Sequence, residues 1–458
     1  MKKIVVCIRQ GLDGDISPFD ASAYEAALRF KDAEVTLLSM ASLSAKDFLL
    51  NLTRLGAKKA VLLNDKAFAG ADTLATAYTL SLAVKKLAPD LVICGRQTLI
   101  GDTGQTGAML AAFLDMTLVT NVMGVDELCD GMLKIMTRSE GESTVKAPAL
   151  LCVERIYTLR LPRLRSKLGE VEVLSASDIE ADSARCGLVG SPTRVIESFE
   201  NKSGKRKCKF ISREELQSVI EASLKKVNES IDAINQSQER LDRVCIVGEA
   251  PRGFAESVSD DVTLIPLTDA DKIIEEIKRL DPLAVLWGTD DRSKRLASIV
   301  AAKMRLGLCA DCTAISCESG ELMMYRPALS GSVIAKIKST TRPAMATVRT
   351  ESSAGSDVIV AAGFGVKDKL SEVEAFAKSI GAGFCASRKL VDNGYALYDM
   401  QVGLTGKTVS PPVYIAIGVS GAVHHIVGMQ RSGTVIAINP DKDAPIFEYA
   451  DYGVADNF

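Results

Sequence analysis

The stretch Ala88-Pro89-Asp90-Leu91-Val92-Ile93-Cys94-Gly95 is similar to a later stretch of the chain, Asp281-Pro282-Leu283-Ala284-Val285-Leu286-Trp287-Gly288. In both stretches a short apolar run, which is typical of a buried strand, ends in a glycine. The similarity continues downstream in the same order, with Ala111–Leu114 against Ala301–Met304 and Lys146–Leu150 against Thr341–Met345. This internal repeat indicates two copies of one α/β domain.

Outward from the first copy, apolar strands alternate with helical patterns. We predict strands at Ile4–Ile8, Val35–Met40 and Ala60–Leu63, and helices at Ala21–Phe30 and Ala45–Leu55. Such alternation is typical of a doubly wound, mostly parallel sheet. In each copy a proline, Pro148 or Pro343, starts a strand, and we expect that strand to be an antiparallel addition at a sheet edge.

The two copies differ in the loop that follows the repeated glycine. In the first copy the loop runs Arg96-Gln97-Thr98-Leu99-Ile100-Gly101-Asp102-Thr103-Gly104-Gln105-Thr106-Gly107 into a helix. Glycines let a backbone approach a phosphate, and the helix dipole favours its charge, so this loop predicts nucleotide binding. The alternative is a turn that only caps the helix through Thr106. The second copy lacks these glycines in Gly288–Arg295 and is expected to be a scaffold.

Composition excludes several classes of protein. With 55 Lys and Arg against 58 Asp and Glu, the net charge is −3 over 458 residues. That balance is too even for a nucleic-acid partner. No apolar run reaches the ~18 residues of a membrane span, and none resembles a signal peptide, so we expect a cytoplasmic protein without a transmembrane segment.

Histidine and cysteine usage limits the chemistry further. His424 and His425 are the only histidines, which rules out a multi-histidine metal site. Cys309-Ala310-Asp311-Cys312 has a spacing that could start a metal or redox site. A further ligand is missing nearby, so we interpret these thiols as core strand residues and predict no metal.

The amino-acid composition of the chain changes between the two copies. Ser175–Ser191 is small, polar and acidic, and Asn201–Lys207 is basic; both are typical of a linker whose charges are solvated. Phe210–Glu239 has a helical pattern that begins with a capping box at Ser212-Arg213-Glu214-Glu215. A hinge is expected near Ser352–Asp357, where small residues cluster.

In the last hundred residues every predicted strand ends in a glycine-rich or small polar loop. The loops lie at 363–367, 383–388, 401–407, 418–425 and 439–441. Ligands of open α/β sheets lie at the carboxyl ends of the strands, so five such loops favour a large anionic cofactor. Gly418-Val419-Ser420-Gly421 differs from the G-x-S-x-G elbow of serine hydrolases, which we therefore disfavour. A phosphate beside Ser420–Ala422 is the preferred interpretation.

These motifs resemble the electron transfer flavoprotein family. Those that resemble the FAD domain of its α subunit are Ala386-Ser387-Arg388, Gln401–Lys407, Gly418–His425, Ala437–Asn439, Ala444–Phe447 and Ala450–Gly453. Residues 1–185 resemble the β subunit through Gly95-Arg96-Gln97 and the 101–107 loop. Residues 240–350 resemble the first α domain through Ala310-Asp311-Cys312 and Arg342–Arg349. The resemblance implies a β–α fusion in a single chain.

The resemblance also implies the domain organisation. It predicts an α/β fold with two related adenine-nucleotide-hydrolase-like doubly wound domains and a C-terminal Rossmann-like FAD-binding domain. The predicted boundaries are 1–185 for the β-like nucleotide-binding domain, 186–209 for a linker, 210–353 for the scaffold domain and 354–458 for the FAD domain.

Residue roles follow by the same resemblance. Thr405 would bind flavin N5, and Arg388 and His425 would lie near the isoalloxazine, where a guanidinium stabilises the negative charge gained on reduction. The predicted FAD residues are Phe364, Ser387, Arg388, Gln401, Val402, Gly403, Leu404, Thr405, Ser420, Gly421, Ala422, Val423, His424, His425, Asn439 and Asp451. The predicted residues for AMP, or for a second FAD, are Cys7, Gly95, Gln97, Gly101, Asp102, Thr103, Gly104, Gln105 and Thr106.

Three residues depart from the family pattern, and one further residue has two possible interpretations. Phe364 stands where the family usually has an arginine, and Leu404 and His424 each stand where it usually has a glutamine. Leu161 would anchor a partner protein, or it is an ordinary packing leucine.

The resemblance implies an electron carrier rather than an enzyme. It would pass electrons between flavoprotein dehydrogenases, such as the acyl-CoA dehydrogenases of fatty acid β-oxidation, and an acceptor protein. The alternative is an NADH-oxidising, electron-bifurcating flavoprotein with a second FAD in the β-like half. Gly101-Asp102-Thr103 favours bifurcation, and Gln105-Thr106-Gly107 favours AMP. A third hypothesis is an adenine-nucleotide sensor without a redox role.

Overall fold

The computed structural model describes residues 2–11, 14–98, 101, 103–127, 131–138, 140–200, 206–224, 239–328, 333–349, 357–397, 400–403, 407, 409, 411–430 and 432–458. Within these residues no helix combines the length and the apolar character that crossing a membrane requires.

The first repeat forms a nine-stranded sheet. Its strands are β1 (Lys2–Cys7), β2 (Ala33–Met40), β3 (Lys59–Leu63), β4 (Leu91–Gly95), β5 (Thr117–Glu127), β6 (Met132–Thr137), β7 (Gly141–Lys146), β8 (Ala149–Val153) and β9 (Glu170–Leu174). Its helices are α1 (Pro18–Leu28), α2 (Lys46–Thr53), α3 (Thr73–Leu87) and α4 (Thr106–Leu114), with 3₁₀ turns at Leu43–Ala45, Lys66–Phe68 and Ser183–Arg185. The strand order is β7-β6-β5-β8-β4-β1-β2-β3-β9.

The pattern of β1 shows why this sheet has helices on both faces. Ile4 and Val6 point to the face covered by α1 and α2, while Val5 points to the face covered by α3 and α4. A strand buried on both sides needs a continuous apolar run, which is what the predicted strand pattern contained. The mostly parallel, doubly wound sheet is therefore confirmed.

After the first sheet the chain adds elements to two other sheets. Strand β10 (Thr193–Glu200) pairs antiparallel with Val333–Ser339, and strand β11 (Lys209–Phe210) pairs in parallel with Tyr452–Gly453. Residues 216–224 are helical and form α5. The predicted capping box at its start is present in part, since the Ser212 N–H donates to the Glu215 carboxylate at 2.8 Å.

The second repeat has the strand order of the first. Its strands are β12 (Val244–Val247), β13 (Val262–Ile265), β14 (Ala284–Trp287), β15 (Leu308–Cys312), β16 (Ala314–Glu318), β17 (Glu321–Ala328), β18 (Val333–Ser339) and β19 (Ala344–Val348). Its helices are α6 (Arg252–Val258), α7 (Ala270–Leu280) and α8 (Asp291–Met304). The order β13-β12-β14-β19-β15 corresponds to β2-β1-β4-β8-β5, which confirms the repeat. A separate antiparallel sheet has the order β10-β18-β17-β16.

The prediction that the strands after Pro148 and Pro343 are antiparallel edge strands is wrong. Strand β8 lies between β4 and β5, strand β19 lies between β14 and β15, and all four pairings are parallel. Each proline precedes the first residue of its strand, so no backbone N–H is missing from the ladder.

The two repeats pack on each other through helices. Helix α4 of the first repeat contacts α8 of the second, and both contribute to one hydrophobic core that contains Leu110, Val300 and Trp287. Helix α3 packs beside α4 in the same core. The carboxyl ends of the first sheet therefore lie next to the second repeat.

The C-terminal part forms a seven-stranded parallel sheet. Its strands are β20 (Val358–Ala362), β21 (Gly383–Ser387), β22 (Gln401–Val402), β23 (Val413–Ile417), β24 (Thr434–Ile438) and β25 (Tyr452–Val454), together with β11. Its helices are α9 (Leu370–Ser379), α10 (Arg388–Asp392) and α11 (Val423–Met429), with 3₁₀ turns at Phe364–Lys369 and Pro445–Tyr449. The order is β11-β25-β24-β23-β20-β21-β22.

Residues 206–224 belong physically to this C-terminal sheet, which differs from the predicted linker and scaffold boundaries. Ile211, Leu216 and Ile220 pack into the core formed by β20, β23 and β24. Arg206, expected to be solvated, is nearly buried and forms an ion pair with Asp451. Its guanidinium also donates to the Ser432 carbonyl at 2.7 Å. The backbone carbonyls of Gln430, Ser432 and Gly433 thus supply a site for this cation.

Candidate functional site

The C-terminal sheet brings most of the predicted FAD residues to one edge. Because its strands are parallel, their carboxyl ends and the following loops lie side by side. Along the sheet these are Asn439 after β24, Gly418–Ala422 after β23, Gly363 and Phe364 after β20, Ser387 and Arg388 at β21, and Gln401–Gly403 at β22. The strand order reverses between β20 and β23, and such a reversal is where open α/β sheets bind ligands.

Two loops touch at this reversal point. The Gly365 N–H donates to the Gly418 carbonyl at 3.1 Å, and Gly418 has φ +64°. A Cβ atom on Gly363 would lie 2.0 Å from that same carbonyl oxygen. Glycine is therefore required for the close approach of the two loops, which leaves backbone rather than side chains at the centre of the edge.

The loop after β21 presents an unsatisfied hydroxyl and several cations. Ser387 Oγ is buried and has no hydrogen-bond partner among the described residues. Arg388 is exposed and forms an ion pair with Asp392 at 3.0 Å. The Lys389 ammonium lies 4.4 Å from the ring centroid of Phe364, a cation–π contact. Although Phe364 replaces the arginine of the family pattern, the surroundings of this position remain cationic.

His425 lies in α11 with its ring buried at 6% exposure. Its Nε2 atom is 2.9 Å from the hydroxyl of Tyr414 on β23. Burial lowers the pKa of His425 to about 4, and the nearby Val402 backbone raises that pKa against the larger effect of burial. Nδ1 has no well-aligned hydrogen-bond partner within the described ranges. The ring is therefore neutral at neutral pH.

The 401–403 segment is held from both sides. The Lys407 N–H donates to the Gln401 carbonyl at 2.7 Å, and the Gly403 N–H donates back to the Lys407 carbonyl at 3.0 Å. On the other side, Gly428 of α11 packs directly on Gly403. Gln401 and Val402 are both buried, so this segment forms a firm base for the loop that follows it.

The remaining predicted FAD residues divide into three groups. Leu404 and Thr405 lie outside the described residues. Ser420, Ala422 and Val423 are exposed at the edge beside Gly421. His424 is the second residue of α11. Asn439 lies at the edge but uses its amide internally, with Nδ2 donating to the Val419 carbonyl at 3.0 Å.

Asp451 is the one described residue of this set that the structure does not bring to the site. It precedes β25 and its carboxylate accepts a hydrogen bond at 2.8 Å from the N–H of Val435, near the start of β24. The amino-terminal ends of the parallel strands are at the opposite edge from Gly363 and Gly418. Its ion pair with Arg206 gives Asp451 a structural role there.

The first repeat contains a cavity of about 590 Å³ at the corresponding edge. Seven residues predicted to bind a nucleotide line it: Cys7, Gly95, Gln97, Gly101, Thr103, Gly104 and Thr106. The wall continues over Met40, Phe68, Thr73 and Thr76, which the sequence did not single out. The cavity lies at the reversal of strand order between β1 and β4. Asp102 lies outside the described residues.

Gln105 belongs to the loop beside this cavity, although its side chain does not line the cavity. Its side chain is 1% exposed, and neither amide atom has a hydrogen-bond partner among the described residues. Leaving a buried amide unsatisfied costs ~1–3 kcal/mol. Helix α4 begins at Thr106 without a side-chain cap, so capping by Thr106 does not explain the loop.

The electrostatics of the cavity come from residues that the sequence did not reveal. Asp20 is buried and accepts a hydrogen bond from the Arg9 backbone N–H at 2.8 Å. Burial raises the pKa of Asp20 to about 7, and backbone hydrogen bonds from Arg9 and Gly95 oppose that rise. Burial also lowers the pKa of the Arg9 side chain. A ligand phosphate would therefore meet a cation and a carboxyl that titrates near neutrality.

The second repeat contributes directly to the same cavity. Arg326 of β17 lines the cavity and donates to the Gly101 carbonyl of the phosphate-type loop at 3.0 Å. Leu308, Cys309 and Ile337 complete that wall. The expectation that the second copy is only a scaffold is therefore too narrow. Arg326 was missed because pairing between the repeats is not visible in local sequence.

Trp287 occupies the position at the reversal point of the second repeat that corresponds to Cys94 in the first. In the register of β12 and β14 it pairs with Val247, as Cys94 pairs with Cys7 in the first repeat. The indole is fully buried in the core between the repeats. Where the first repeat has small thiols beneath its loop, the second has the largest side chain in the chain.

Several cysteines are buried in the strands beneath and beside the cavity. Cys309 and Cys312 lie in β15 and are both buried, as predicted. Cys94 and Cys152 lie beneath the phosphate-type loop, next to Gly107 at the start of α4. Burial raises the pKa of Cys152 to about 12, so this thiol is protonated at neutral pH.

Leu161 extends from an irregular arm and is 86% exposed. Leu164 and Leu168 in the same arm are also exposed. The base of the arm is fixed by Arg160, whose guanidinium donates to the buried Glu25 carboxylate at 2.8 and 2.9 Å. The interpretation of Leu161 as a packing leucine of this chain is therefore wrong.

Comparisons with known proteins agree with this arrangement. The model of the electron transfer flavoprotein domain matches residues 4–179 and 257–369, and that of the electron transfer flavoprotein FAD-binding domain matches residues 354–430. The electron transfer flavoprotein subunit β of Thermoanaerobacterium thermosaccharolyticum is 38% identical over 200 residues, which are 41% of this chain and 77% of that subunit.

Two further relatives cover different parts of the chain. Subunit α of the same organism is 36% identical over 231 residues, which are 40% of this chain and 70% of that subunit. Protein FixA of Azorhizobium caulinodans is 41% identical over 212 residues, 42% of this chain and 75% of FixA. The N-terminal half matches β subunits and the C-terminal half matches α subunits, so the chain belongs to the electron transfer flavoprotein family as a fused β–α polypeptide.

Proposed function

We propose that the chain is a single-polypeptide electron carrier that holds FAD at the carboxyl edge of the C-terminal sheet. The observation that carries the proposal is the meeting of five loops there, with Ser387 Oγ buried and unsatisfied beside them. A flavin dinucleotide is long, polar and anionic, and such an edge suits its phosphates and ring. When bound, FAD supplies the electron-accepting and electron-donating chemistry.

Different residues of the chain would contact different parts of this cofactor. Backbone N–H groups of the 418–422 loop would face the pyrophosphate, since Gly363 and Gly418 keep side chains away from it. Ser387 would donate its free hydroxyl to the cofactor, and Arg388 would turn from Asp392 toward the ring. The 402–405 loop and His425 would border the isoalloxazine, and Asn439 would keep the 419–421 backbone in place.

The first-repeat cavity is proposed to hold an adenine nucleotide. Its support is the buried, unsatisfied Gln105 beside the phosphate-type loop, together with Arg326 from the second repeat. AMP would fill the part of the cavity around Gly101–Gly107. Because Arg326 bridges to this loop, a nucleotide here would contact both repeats.

Partner recognition is proposed for the arm that carries Leu161. An exposed leucine next to the braced base of an arm suits insertion into an apolar pocket of a flavoprotein dehydrogenase of the acyl-CoA dehydrogenase type. Electrons would then pass to FAD and on to an acceptor protein. In this function the chain has no substrate of its own.

A second function is favoured by one feature of the cavity. Its wall extends beyond the loop to Met40, Phe68 and Thr76, farther than a mononucleotide phosphate site needs. A second FAD in this space would make the chain an NADH-oxidising, electron-bifurcating flavoprotein.

Cofactor content tests both functions. The full chain is purified, its absorption spectrum is recorded, and the nucleotides released by denaturation are separated by chromatography. One FAD and one AMP per chain supports the simple carrier, and two FAD per chain supports bifurcation. A colourless protein that takes up no FAD contradicts both and leaves the nucleotide sensor.

A variant pair assigns each cofactor to its site. Gln105→Ala should reduce the nucleotide of the first cavity while FAD at the C-terminal edge stays stoichiometric. Ser387→Ala should weaken only the C-terminal FAD. If either variant loses the other cofactor instead, the assignment of the two sites is wrong.

A further inference from the structure

A buried row of three polar side chains stands behind the C-terminal edge. Cys385 on β21 and Tyr414 on β23 belong to one hydrophobic core on the face opposite α9, and the ring of His425 on α11 packs against Tyr414. The thiol of Cys385 lies within hydrogen-bond reach of the Tyr414 hydroxyl, and that hydroxyl is 2.9 Å from His425 Nε2. Tyr414 is fully buried, so water does not compete for its single proton.

The direction of these hydrogen bonds follows from the number of protons and acceptors that each group has. A phenol has one proton, and a neutral imidazole nitrogen accepts it much better than a thiol sulfur does. The Tyr414 O–H therefore donates to His425 Nε2, while the Cys385 thiol has an acceptor of its own in the Val360 carbonyl at 3.7 Å. Since Nε2 accepts, the ring proton of neutral His425 must sit on Nδ1.

The other side of the ring agrees with that proton position. The Val402 backbone next to His425 favours the protonated ring, which is the effect of a carbonyl acceptor and not of an N–H donor. No charged group among the described residues acts on His425, whereas Lys407 acts electrostatically on Cys385. An N–H on Nδ1 therefore faces the Val402 backbone.

We propose that Tyr414 is a positioning residue that fixes His425 as its neutral Nδ1–H tautomer and aims that N–H at the Val402 backbone. The tautomer is a property of the chain itself, whereas its effect on a flavin rests on the proposed function. In this arrangement His425 supplies a hydrogen-bond donor rather than a positive charge. Arg388 and Lys389 are then the cations available to the cofactor ring.

The test uses the fact that the chain has only two histidines. Full-length protein is labelled with ¹⁵N-histidine in a His424→Gln background, so that one imidazole remains, and its two ring nitrogens are observed by NMR. We expect Nε2 to show the shift of an unprotonated nitrogen and Nδ1 that of a protonated one. The pattern should persist until the pH falls to about 4. An Nε2–H tautomer, or a ring that titrates above pH 6, overturns the proposal. This measurement needs no substitution of Cys385, Tyr414 or His425.

Tyr414→Phe then removes the hydroxyl while keeping the ring that fills the core. We expect the tautomer population to shift measurably toward Nε2–H, because Nε2 has lost its donor. Tyr449→Phe, a substitution against the same core that leaves the row intact, is the matched control and should keep the Nδ1–H form. Equal spectra for Tyr414→Phe and the control contradict the positioning role.

The flavin gives a second readout on FAD-loaded protein. The midpoint potential of FAD should shift in Tyr414→Phe and not in Tyr449→Phe, with FAD content equal in both. A wild-type chain that binds no FAD would contradict the proposed function but leave the NMR result decisive for the tautomer. A changed tautomer with an unchanged potential would contradict the part of the proposal that links His425 to the flavin.

Discussion

At the scale of single residues, Asp20 is the clearest source of pH dependence. Its carboxyl is 4% exposed, and burial raises its pKa to about 7, against about 3.9 in an unfolded chain. Between these values the folded state binds more protons than the unfolded state, so the contribution of Asp20 to stability falls as the pH rises from about 4 to about 7. Above pH 7 the contribution stays constant.

Asp20→Asn should remove this slope because asparagine does not titrate. The free energy of unfolding of the wild type, relative to the variant, should fall by up to ~4 kcal/mol between pH 4 and pH 7. Urea unfolding of both proteins across that range measures the difference. Parallel pH profiles for the two proteins would show that Asp20 ionises normally in the folded state.

Residue-scale features were the least visible in the sequence. His425 could be singled out because histidine is so rare in this chain. Tyr414 could not, since a tyrosine within the apolar run of β23 has the pattern of an ordinary core residue. Asp20 likewise follows Pro18 at a helix start, where an acidic residue is expected for reasons of helix dipole alone.

At the scale of elements, the contact of α11 with β22 controls the C-terminal edge. A Cβ atom on Gly428 would lie 2.3 Å from the Gly403 backbone nitrogen. Gly428→Ala should therefore push the helix away from the 401–403 segment, at a cost of ~1–3 kcal/mol for overpacking. We expect FAD affinity to fall at least about tenfold, which corresponds to ~1.4 kcal/mol, measured by flavin titration.

Gly253→Ala is the matched control for that variant. Gly253 lies in helix α6, and nothing is within 4 Å of the position of its Cβ. Alanine there should leave FAD binding unchanged and stabilise the helix by up to ~1 kcal/mol. Equal FAD affinity in the two variants would mean that the position of α11 does not control the edge.

Strand β17 is the element through which the second repeat reaches the first cavity. Arg326→Ala should remove the bond to the Gly101 carbonyl and a cation from the wall. The loop loses a hydrogen bond worth ~1.5–3 kcal/mol and the bound phosphate loses a nearby cation, so AMP affinity should fall by roughly tenfold or more. Equilibrium dialysis with AMP measures it. Lys338→Ala on β18, whose ion pair with Glu321 is at the surface, is the control and should bind AMP like the wild type.

Which elements meet was only partly predictable. The strands after Pro148 and Pro343 were assigned to sheet edges because proline lacks an N–H, but each proline stands just before its strand. Local sequence also gave no sign that β11 pairs with β25, because that pairing joins residues more than 200 positions apart. Pairing of distant segments is decided by packing, which a local pattern does not contain.

At the scale of the whole molecule, the repeat predicted the architecture correctly. Two stretches of the same order imply two sheets of the same strand order, and both sheets have it. The path of the chain between the sheets was not predicted, because residues 206–224 pack on the C-terminal sheet although they precede the second repeat. Residues 206–224 and 357–458 belong to the C-terminal part, and residues 201–205, 225–238 and 350–356, all outside the described ranges, connect it to the two repeats.

This route predicts how the molecule responds to a single cut. If a protease site is inserted in 350–356 and cleaved, residues 206–224 should still hold the C-terminal fragment. Strand β11 pairs with β25, and Ile211, Leu216 and Ile220 are buried against that sheet. Burying each side chain contributes ~1.5–3 kcal/mol, enough together for a stable association. The two fragments should therefore co-elute in gel filtration without denaturant.

The control is the same cut in an Ile211→Asp, Leu216→Asp variant. Two buried carboxylates without partners make the packing of 206–224 on the C-terminal sheet unfavourable. The cleaved variant should therefore release residues 357–458 as a separate peak, while the uncut variant remains one chain. Release from the cleaved wild type, or retention in the cleaved variant, would show that 206–224 is not what fastens the C-terminal sheet to the rest of the molecule.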